Sequence, residues 1–429
     1  MTDKKSIVIK LGGTSQCKTA YDKLINYLAE LIPTHNIYVV LSAVSGVTNL
    51  LEKYTKTKDY TYIIDVLELN EKLIDELFPS DEYSSNSDKP QYLIQYLEDK
   101  LKLIIESYTD LDDVYTKAKI IGFGEIMSTR IFNHYYDRCK LFNSYDYIKT
   151  SKKVFDLYPT VEFYCSDDIA KSEYSVSILQ GFIASDIDGN PTLLGRGGSD
   201  TTGALIAKTV NAERYEVWTD VNGIYTGDPR ILNSAIPIKN ISYEMCKEIA
   251  ALGAKVMHPL SILPCETLSI PIIVKSSFSD CDGTIISTVN NSNIIVAIQN
   301  DVTLFNIKSE NMWNAYGFVS DIFRRFTESH IDINIITTSQ FSISTTTNEK
   351  NKYLLNRVYE LLKTTYECTM TNNCIIVSLI SDKIYETLSK VDLNKLKPEI
   401  VHIGSNNLSF NLVFKNKTKE DIKEILNSI

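Results

Sequence analysis

The sequence predicts an α/β molecule in two parts. Residues 1–290 form a domain with a largely parallel sheet sandwiched by helices, and two ferredoxin-like βαββαβ modules follow at 295–370 and 371–429. Three observations predict this. Apolar runs that end in glycine are followed by stretches of helical periodicity, the β-loop-α alternation of a parallel sheet. Asn290-Asn291-Ser292-Asn293 then punctuates the chain, and shorter elements follow it. Finally, the order strand, helix, strand, strand, helix occurs twice, each run about 60–70 residues long, as a repeat of pattern and not of identical residues.

Each element has its own signal. Ser6–Leu11 is an apolar strand stopped by Gly12-Gly13, and a helix follows with Ala20, Leu24, Ile25, Leu28, Leu31 and Ile32 along one face. Ile37–Ser42 is a second strand and Val47–Lys56 a second helix. Ile63–Phe78 and Tyr92–Tyr108 carry helical periodicity around a polar surface loop at Ser80–Pro90. Strands are expected at Gln180–Ser185, Pro191–Leu194 and Tyr215–Thr219. In the tail the expected order is strand Val302–Lys308, helix Gly317–Ser329, strands Ile333–Thr337 and Phe341–Thr346, and helix Lys352–Lys363. It resumes with strand Cys374–Ile380, helix Lys383–Val391, strands Ile400–Ile403 and Leu408–Phe414, and helix Lys419–Asn427.

Bulk properties exclude several functions. A chain of 429 residues exceeds one ordinary core, which agrees with several domains. The net charge of -10 argues against a nucleic-acid or anionic-membrane partner, so an anionic substrate must meet a local cluster of cations. No apolar run approaches the ~20 residues of a bilayer span, and the first residues carry no apolar signal segment. Eight cysteines lie scattered without a C-x-x-C pair, which indicates neither zinc nor a disulfide framework and fits reduced thiols in the cytoplasm.

Six glycine-marked stretches carry the chemistry. Lys10-Leu11-Gly12-Gly13-Thr14-Ser15 sits between a strand and a helix, where backbone N–H groups and a helix N-terminus can cradle phosphate oxygens beside the Lys10 ammonium; a tight turn with an exposed lysine is the plainer reading. The overlapping run Gly12–Thr19 matches the P-loop pattern except at Cys17, where glycine is needed, and reads as coincidence. Gly195-Arg196-Gly197-Gly198-Ser199-Asp200 is a second cradle: helix capping accounts for Ser199 or Asp200 but not for three glycines with an arginine among them. Gly122-Phe123-Gly124-Glu125 places a carboxylate at an expected helix start, either for the dipole or for a substrate. Ser42–Thr48 puts hydroxyls at the carboxyl edge of the sheet. In Gly253–Pro259, Lys255 is a phosphate candidate and His258 a structural residue. Val217–Arg230 runs from a strand through Asn222-Gly223 and combines carboxylate, ring and arginine, a mixture suited to an anionic nucleotide.

Taken in order, these motifs resemble those of the aspartate kinases, amino-acid kinases with tandem C-terminal ACT domains, across essentially the whole chain. Leu11 departs from the family's K-[FY]-G-G-[TS]-S by replacing an aromatic residue. The resemblance implies an amino-acid kinase fold and transfer of the γ-phosphoryl of ATP to the β-carboxylate of L-aspartate. It implies that Lys10, Gly12, Gly13 and Asp200 act at the transferred phosphoryl. Ser42, Thr48, Glu125, Arg196, Gly197, Gly198 and Ser199 would hold the amino acid, with Arg196 on the α-carboxylate and Glu125 on the α-ammonium. Lys10, Gly13, Thr219, Asp220, Tyr225, Arg230 and Lys255 would hold the nucleotide. Mg²⁺ would travel mainly on ATP oxygens, with no protein metal ligand.

The same resemblance implies an amino-acid effector site in the tail, at Met312, Gly317, Phe318, Val319, Asp332, Asn334, Thr338, Ser339 and Gln340, and assembly as a homodimer or dimer of dimers. Lysine-responsive members carry acids where this chain has Asn334 and Gln340, so weak or absent lysine inhibition is expected. A tail that only builds a dimer is the plainer alternative. Other readings of the whole chain are a kinase for glutamate or N-acetylglutamate, and a catalytically silent amino-acid sensor.

Overall fold

The computed structural model describes residues 4–79, 88–106, 113–159, 161–253, 257–289, 293–308, 317–417 and 421. Two compact units emerge. The first comprises Met1–Ile224, Pro237–Lys247 and Lys255–Asn290; the second comprises Tyr225–Ile236, Glu248–Ala254 and Asn291–Ile429.

The first unit is built on an eight-stranded sheet in the order Asn240–Ser242, Thr284–Ser287, Ile272–Ser276, Arg214–Thr219, Lys5–Leu11, His35–Leu41, Val176–Gln180, Lys140–Leu141. All neighbours are parallel except Ile272–Ser276 with Thr284–Ser287. The expected alternation is present: Lys5–Leu11 leads to helix Lys18–Leu31, and His35–Leu41 leads to helix Val47–Thr57. Strand Lys5–Leu11 is central, paired on both edges, and Ile7, Ile9 and Leu11 are fully buried in a core shared with Leu24, Leu41, Val47 and Ile131. Near-continuous apolar strands are what a parallel sheet covered on both faces requires.

Two readings of this unit need correction. The strand expected at Gln180–Ser185 is two strands. Val176–Gln180 belongs to the main sheet, while Ile183–Ser185 joins a separate four-stranded sheet with Phe163–Cys165, Ile148–Thr150 and Pro191–Leu193. The break falls at Gly181-Phe182: a Cβ on Gly181 would sit 2.5 Å from Ser199 Cβ, and Phe182 adopts φ 68°. Glu125 does not start a helix. It lies well inside Val114–Tyr135, whose N-cap is Asp113, and Gly122 and Gly124 are there because neighbours press on them. A Cβ on Gly124 would lie 2.9 Å from Val47 Cγ1, and one on Gly122 would lie 2.5 Å from Ile183 Cγ2.

The second unit carries one six-stranded antiparallel sheet, ordered Ile336–Thr338, Ser342–Thr347, Ile295–Lys308, Glu367–Ile380, Ser409–Phe414, Ile400–Ile403. Its two central strands are 14 residues each, longer than the expected Val302–Lys308 and Cys374–Ile380. An irregularity between Gln299 and Leu304 divides their pairing. Thr303–Lys308, helix Phe318–Glu328, the next two strands, helix Lys352–Lys363 and Glu367–Thr371 form one βαββαβ set around Phe305, Phe326 and Leu362. Ile376–Ile380, Ile400–Ile403 and Ser409–Phe414 belong to the second set, whose remaining paired strand is Ile295–Gln299. The segment assigned by sequence to the first module therefore completes the second. Helix Lys383–Val391 shortens to Ile384–Leu388, with a further turn of helix at Leu393–Leu396. The helix expected at Lys419–Asn427 and most of the Ser80–Pro90 loop lie outside the described residues.

Candidate active site

The parallel strands Lys5–Leu11 and His35–Leu41 point their carboxyl ends the same way, so the loops that follow them converge at one edge, and the Gly195–Asp200 loop, which follows Pro191–Leu193 of the smaller sheet, meets them there. There the first unit holds a cavity of about 320 Å³, walled by Lys10 and Gly13, by Ser42–Gly46 with Thr48 and Asn49, and by Gly195 and Gly197–Asp200, with Glu125 and Phe182 completing it. Three of the six glycine-marked stretches thus meet at one place, joined by Glu125 of a fourth.

Lys10 reaches the cavity from the end of the central strand and is largely buried. Its Nζ lies 2.6 Å from Asp200 Oδ1, in the first turn of helix Gly198–Thr209. The loop after Lys10 is fixed by backbone bonds to both neighbouring strands: Gly12 N–H donates to the Trp218 carbonyl at 3.1 Å and Ser42 N–H to the Leu11 carbonyl at 3.2 Å. Ser45 N–H donates to the Gly13 carbonyl at 3.2 Å, and a Cβ on Gly13 would stand 2.8 Å from the Ala43 carbonyl oxygen. Only glycine fits between those loops.

The second cradle needs its glycines for two reasons. Gly197 caps the helix at φ 66°, a conformation that favours glycine, and a Cβ there would meet His258 Cβ at 2.5 Å. Gly198 accommodates the ring of Phe182, whose Cδ2 would be 2.6 Å from an added Cβ. Gly198 N–H donates to the Gly195 carbonyl at 3.0 Å, while the next N–H groups, of Ser199 and Asp200, have no helical partner and can meet an anion, with the dipole adding to the attraction.

Glu125 contributes the opposite charge type. It is 3% exposed; its Oε1 accepts a long bond from Ala43 N–H at 3.4 Å, and its Oε2 has no partner among the described residues. Burial pushes its carboxyl up to about 8, only partly offset by the Ala43 amide. A buried carboxyl with an open oxygen on a cavity wall is suited to receive an ammonium group.

The remaining expected residues are distributed otherwise. Ser42, Thr48 and Ser199 line the cavity. Arg196 does not: it is exposed, and no ion pair holds it among the described residues. Thr219 ends the strand next to that of Lys10 and Asp220 follows it, the two linked by a bond from Thr219 Oγ1 to Asp220 Oδ1 at 3.1 Å, but they stand off the cavity. Tyr225 and Arg230 fall in the second unit, where Arg230 forks onto Asp228 at 2.9 and 2.8 Å. Lys255 and Met312 lie outside the described residues. Gly317 caps helix Phe318–Glu328 at φ 86°, Phe318 packs its ring edge-on against Tyr366, and Val319 is exposed in the first turn. Asp332, Asn334, Thr338, Ser339 and Gln340 are exposed around strand Ile336–Thr338. The near-match to a P-loop dissolves: Lys18 pairs with Asp22 at 2.7 Å and bonds the Tyr135 hydroxyl, as an ordinary helix surface would have it. His258 caps helix Pro259–Glu266 through its Nδ1, the structural role expected of it.

Some functional residues were not anticipated. Phe182 lines the cavity from a left-handed backbone position that no local pattern announces. Glu216 is fully buried beneath the Lys10 loop, with Arg214 Nε, Lys275 Nζ and the Tyr27 hydroxyl each at 2.7 Å and Trp218 Nε1 at 3.0 Å. Burial pushes its carboxyl up, yet Lys275 and these hydrogen bonds outweigh it and hold it below the ordinary range. The cluster fixes Trp218, whose carbonyl anchors Gly12. Its signal was available, as an acid inside the otherwise apolar strand RYEVWT.

Among the described residues no helix is long and apolar enough to cross a membrane, and all eight cysteines are free thiols.

Comparison with known proteins agrees with this geometry. The profile described as the Amino acid kinase family matches residues 5–276. Lysine-sensitive aspartokinase 3 of Escherichia coli (strain K12) is 28% identical over 362 residues, covering 79% of this chain and 78% of its own. Aspartokinase 1, chloroplastic, of Arabidopsis thaliana is 29% identical over 415 residues, covering 90% and 72%. The solved structure of Escherichia coli aspartokinase III in complex with aspartate and ADP superposes with a TM-score of 0.79 at 25% identity, covering 99% of this chain and 98% of that one.

Proposed function

Because the chain belongs to the amino acid kinase family, we propose that its reaction is transfer of the γ-phosphoryl of ATP to the β-carboxylate of L-aspartate, giving 4-phospho-L-aspartate and ADP. The observation that carries this reading is the pairing of two opposite environments on one small cavity. The Lys10 ammonium, the glycine loops and a helix N-terminus make one part of the wall anion-seeking, and Glu125 makes another part cation-seeking. A free amino acid with a second carboxylate presents both, and about 320 Å³ suits a molecule of that size. The bound aspartate and ADP of the Escherichia coli relative support the same assignment.

The chemistry asks little of acid–base groups. The β-carboxylate of aspartate is ionised at pH 7, so no general base is needed. One of its oxygens forms a bond to the γ-phosphorus as the bond from that phosphorus to the bridging oxygen breaks, and ADP departs with the electron pair. Rate enhancement comes from alignment and from cations and N–H groups around the spreading charge. Lys10 supplies the ammonium, Gly12 and Gly13 the close backbone, and Asp200 holds Lys10 in place.

Glu125 pairs with the α-ammonium, Arg196 closes on the α-carboxylate, and Ser42, Thr48 and Ser199 supply hydroxyls with the backbone of Gly197 and Gly198. Thr219 and Asp220 serve the nucleotide. Mg²⁺ would be carried mainly by the phosphate oxygens of ATP and by water, as this ion prefers. In the second unit the region from Gly317 to Gln340 is the place for an amino-acid effector, and the paired modules are the place for dimer formation, which sedimentation equilibrium tests.

The deciding experiment measures ADP release with aspartate, glutamate, N-acetylglutamate or no acceptor, and traps the acyl phosphate as its hydroxamate. Hydroxamate with aspartate alone is the expected result. Product with N-acetylglutamate, which has no free ammonium to offer Glu125, or with no acceptor at all would overturn the reading.

A further inference from the structure

One residue outside every motif joins two walls of the cavity. Tyr158 lies in the segment that follows strand Ile148–Thr150, and its hydroxyl donates a hydrogen bond to Glu52 Oε1. Glu52 belongs to helix Val47–Thr57, whose first turn, with Thr48 and Asn49, lines the cavity. On its other side Tyr158 leans on the facing wall. Its Cβ and Cδ1 lie 4.0 Å from where a Cβ on Gly195 would be, and its ring centroid is 6.3 Å from that of Phe182. Gly195 and Phe182 are both lining residues.

Both supports of this contact are fixed. The segment carrying Tyr158 is pinned at Val154, a buried residue whose carbonyl accepts from the Tyr115 hydroxyl at 2.8 Å and whose N–H donates to Asp186 Oδ2 at 3.3 Å. Phe182 is held at φ 68° by its N–H to Thr202 Oγ1 at 3.1 Å and by Leu194 N–H to its carbonyl at 2.9 Å. A bulky residue adopts that backbone conformation only where its surroundings dictate it. The helix that carries Glu52 has no comparable side-chain anchor at its start: Gly46 is its N-cap and no side chain caps it.

We propose that Tyr158 and Glu52 form a crossbar over the amino-acid end of the cavity, setting the distance between the first turn of helix Val47–Thr57 and the Gly195–Gly198 wall, and so positioning the groups that grip the substrate. The inference rests on the reading of this cavity as the aspartate pocket. Tyr158 and Glu52 are positioning residues, since neither lines the cavity itself. The bond runs from a neutral hydroxyl to a carboxylate, the charge-assisted class. Burial, and then the Glu52 carboxylate, push the Tyr158 phenol well above its ordinary range, so it remains a donor throughout any workable assay.

The test compares the full chain with Tyr158→Phe, Glu52→Ala and the double variant, varying aspartate and ATP separately and recording the thermal midpoint of each. The expected result is a rise in aspartate KM of about five- to tenfold in each single variant, the size of one lost charge-assisted bond tempered by water. ATP KM and kcat should stay within about twofold, and the double variant should be no worse than either single, because both remove the same bond. Glu52→Gln, which keeps an acceptor, should recover part of the loss. An aspartate KM that does not move, additive effects in the double variant, or a joint rise in both KM values with a lowered thermal midpoint would each overturn the crossbar. Failure of the wild-type chain to form aspartyl hydroxamate would instead overturn the substrate reading and the crossbar with it.

Discussion

The Lys10 ammonium and the Asp200 carboxylate stand 2.6 Å apart, one at the end of the central strand and the other in the first turn of a helix reached much later in the chain. A largely buried ammonium is costly unless compensated, and Asp200 compensates it before any phosphate arrives. The pair also fixes where the cation points, which a flexible lysine could not do alone. Chemistry at this position therefore depends on both residues, in different ways.

Lys10→Ala should lower kcat by about 10²–10³-fold, the usual consequence of removing one preorganised group that stabilises transition-state charge. ATP and aspartate KM should change far less. Steady-state kinetics decides: unchanged kcat with only a raised ATP KM would assign Lys10 to ground-state binding.

Aspartate binding should depend on pH through Glu125. Its carboxyl is pushed up to about 8 by burial, so below that pH the free protein holds it protonated, and pairing with the α-ammonium must release that proton. Aspartate KM should consequently fall as pH rises from about 6.5 to 8.5, and the dependence should vanish in Glu125→Gln. The stability of the free protein should move the opposite way. A folded-state pKa raised above the unfolded value near 4.5 gives a contribution complete below 4.5 and lost as pH climbs through about 8. Urea melts across that window would show wild-type stability falling relative to Glu125→Gln; parallel curves would contradict the assignment.

Gly197→Ala should destabilise more than Gly189→Ala. Both glycines have positive φ, 66° and 82°, so both substitutions carry backbone strain of about 1 kcal/mol. A Cβ at Gly189 enters open space, whereas one at Gly197 meets His258 Cβ at 2.5 Å. A further loss of about 1–3 kcal/mol is expected at Gly197 alone, together with weakened aspartate binding; equal urea midpoints for the two variants would refute the steric argument.

Lysine should inhibit weakly or not at all. Asn334 and Gln340 are uncharged and exposed beside strand Ile336–Thr338, and neither can form a charge-assisted bond to a side-chain ammonium as a carboxylate would. Half-inhibition by lysine below about 1 mM would show that other groups hold it.

The elements with strong local periodicity were legible from sequence: the strand before Gly12, the helices at 18–31 and 47–57, and helix 352–363 appear where the apolar spacing put them. The meeting of the Lys10 and Ser42 loops was legible too, because parallel strands deliver their following loops to one edge; the Gly197–Asp200 loop follows Pro191–Leu193 of the smaller sheet, and its arrival there depends on how that sheet packs. What escaped depends on partners remote in the chain. Phe182 is held left-handed by Thr202 and Leu194, and the glycines around Glu125 answer to Val47 and Ile183 rather than to a helix terminus. Arg196 stands outside the cavity wall, since spacing along a loop does not fix the direction of a long exposed side chain.

The strand Ile295–Gln299 has a consequence for how such a tail can be inherited or rebuilt. It precedes one module in the chain yet closes the sheet of the other, so the chain visits the second module, leaves to complete the first, and returns. The first module is contiguous, from Thr303 to Thr371, but the second is split around it. Recombination between relatives that exchanges only the last stretch would carry a sheet lacking one of its own strands, and the pairing would have to be found in a foreign partner. The two modules therefore travel as one hereditary unit, and changes on either side of that seam must be compatible before they can be kept.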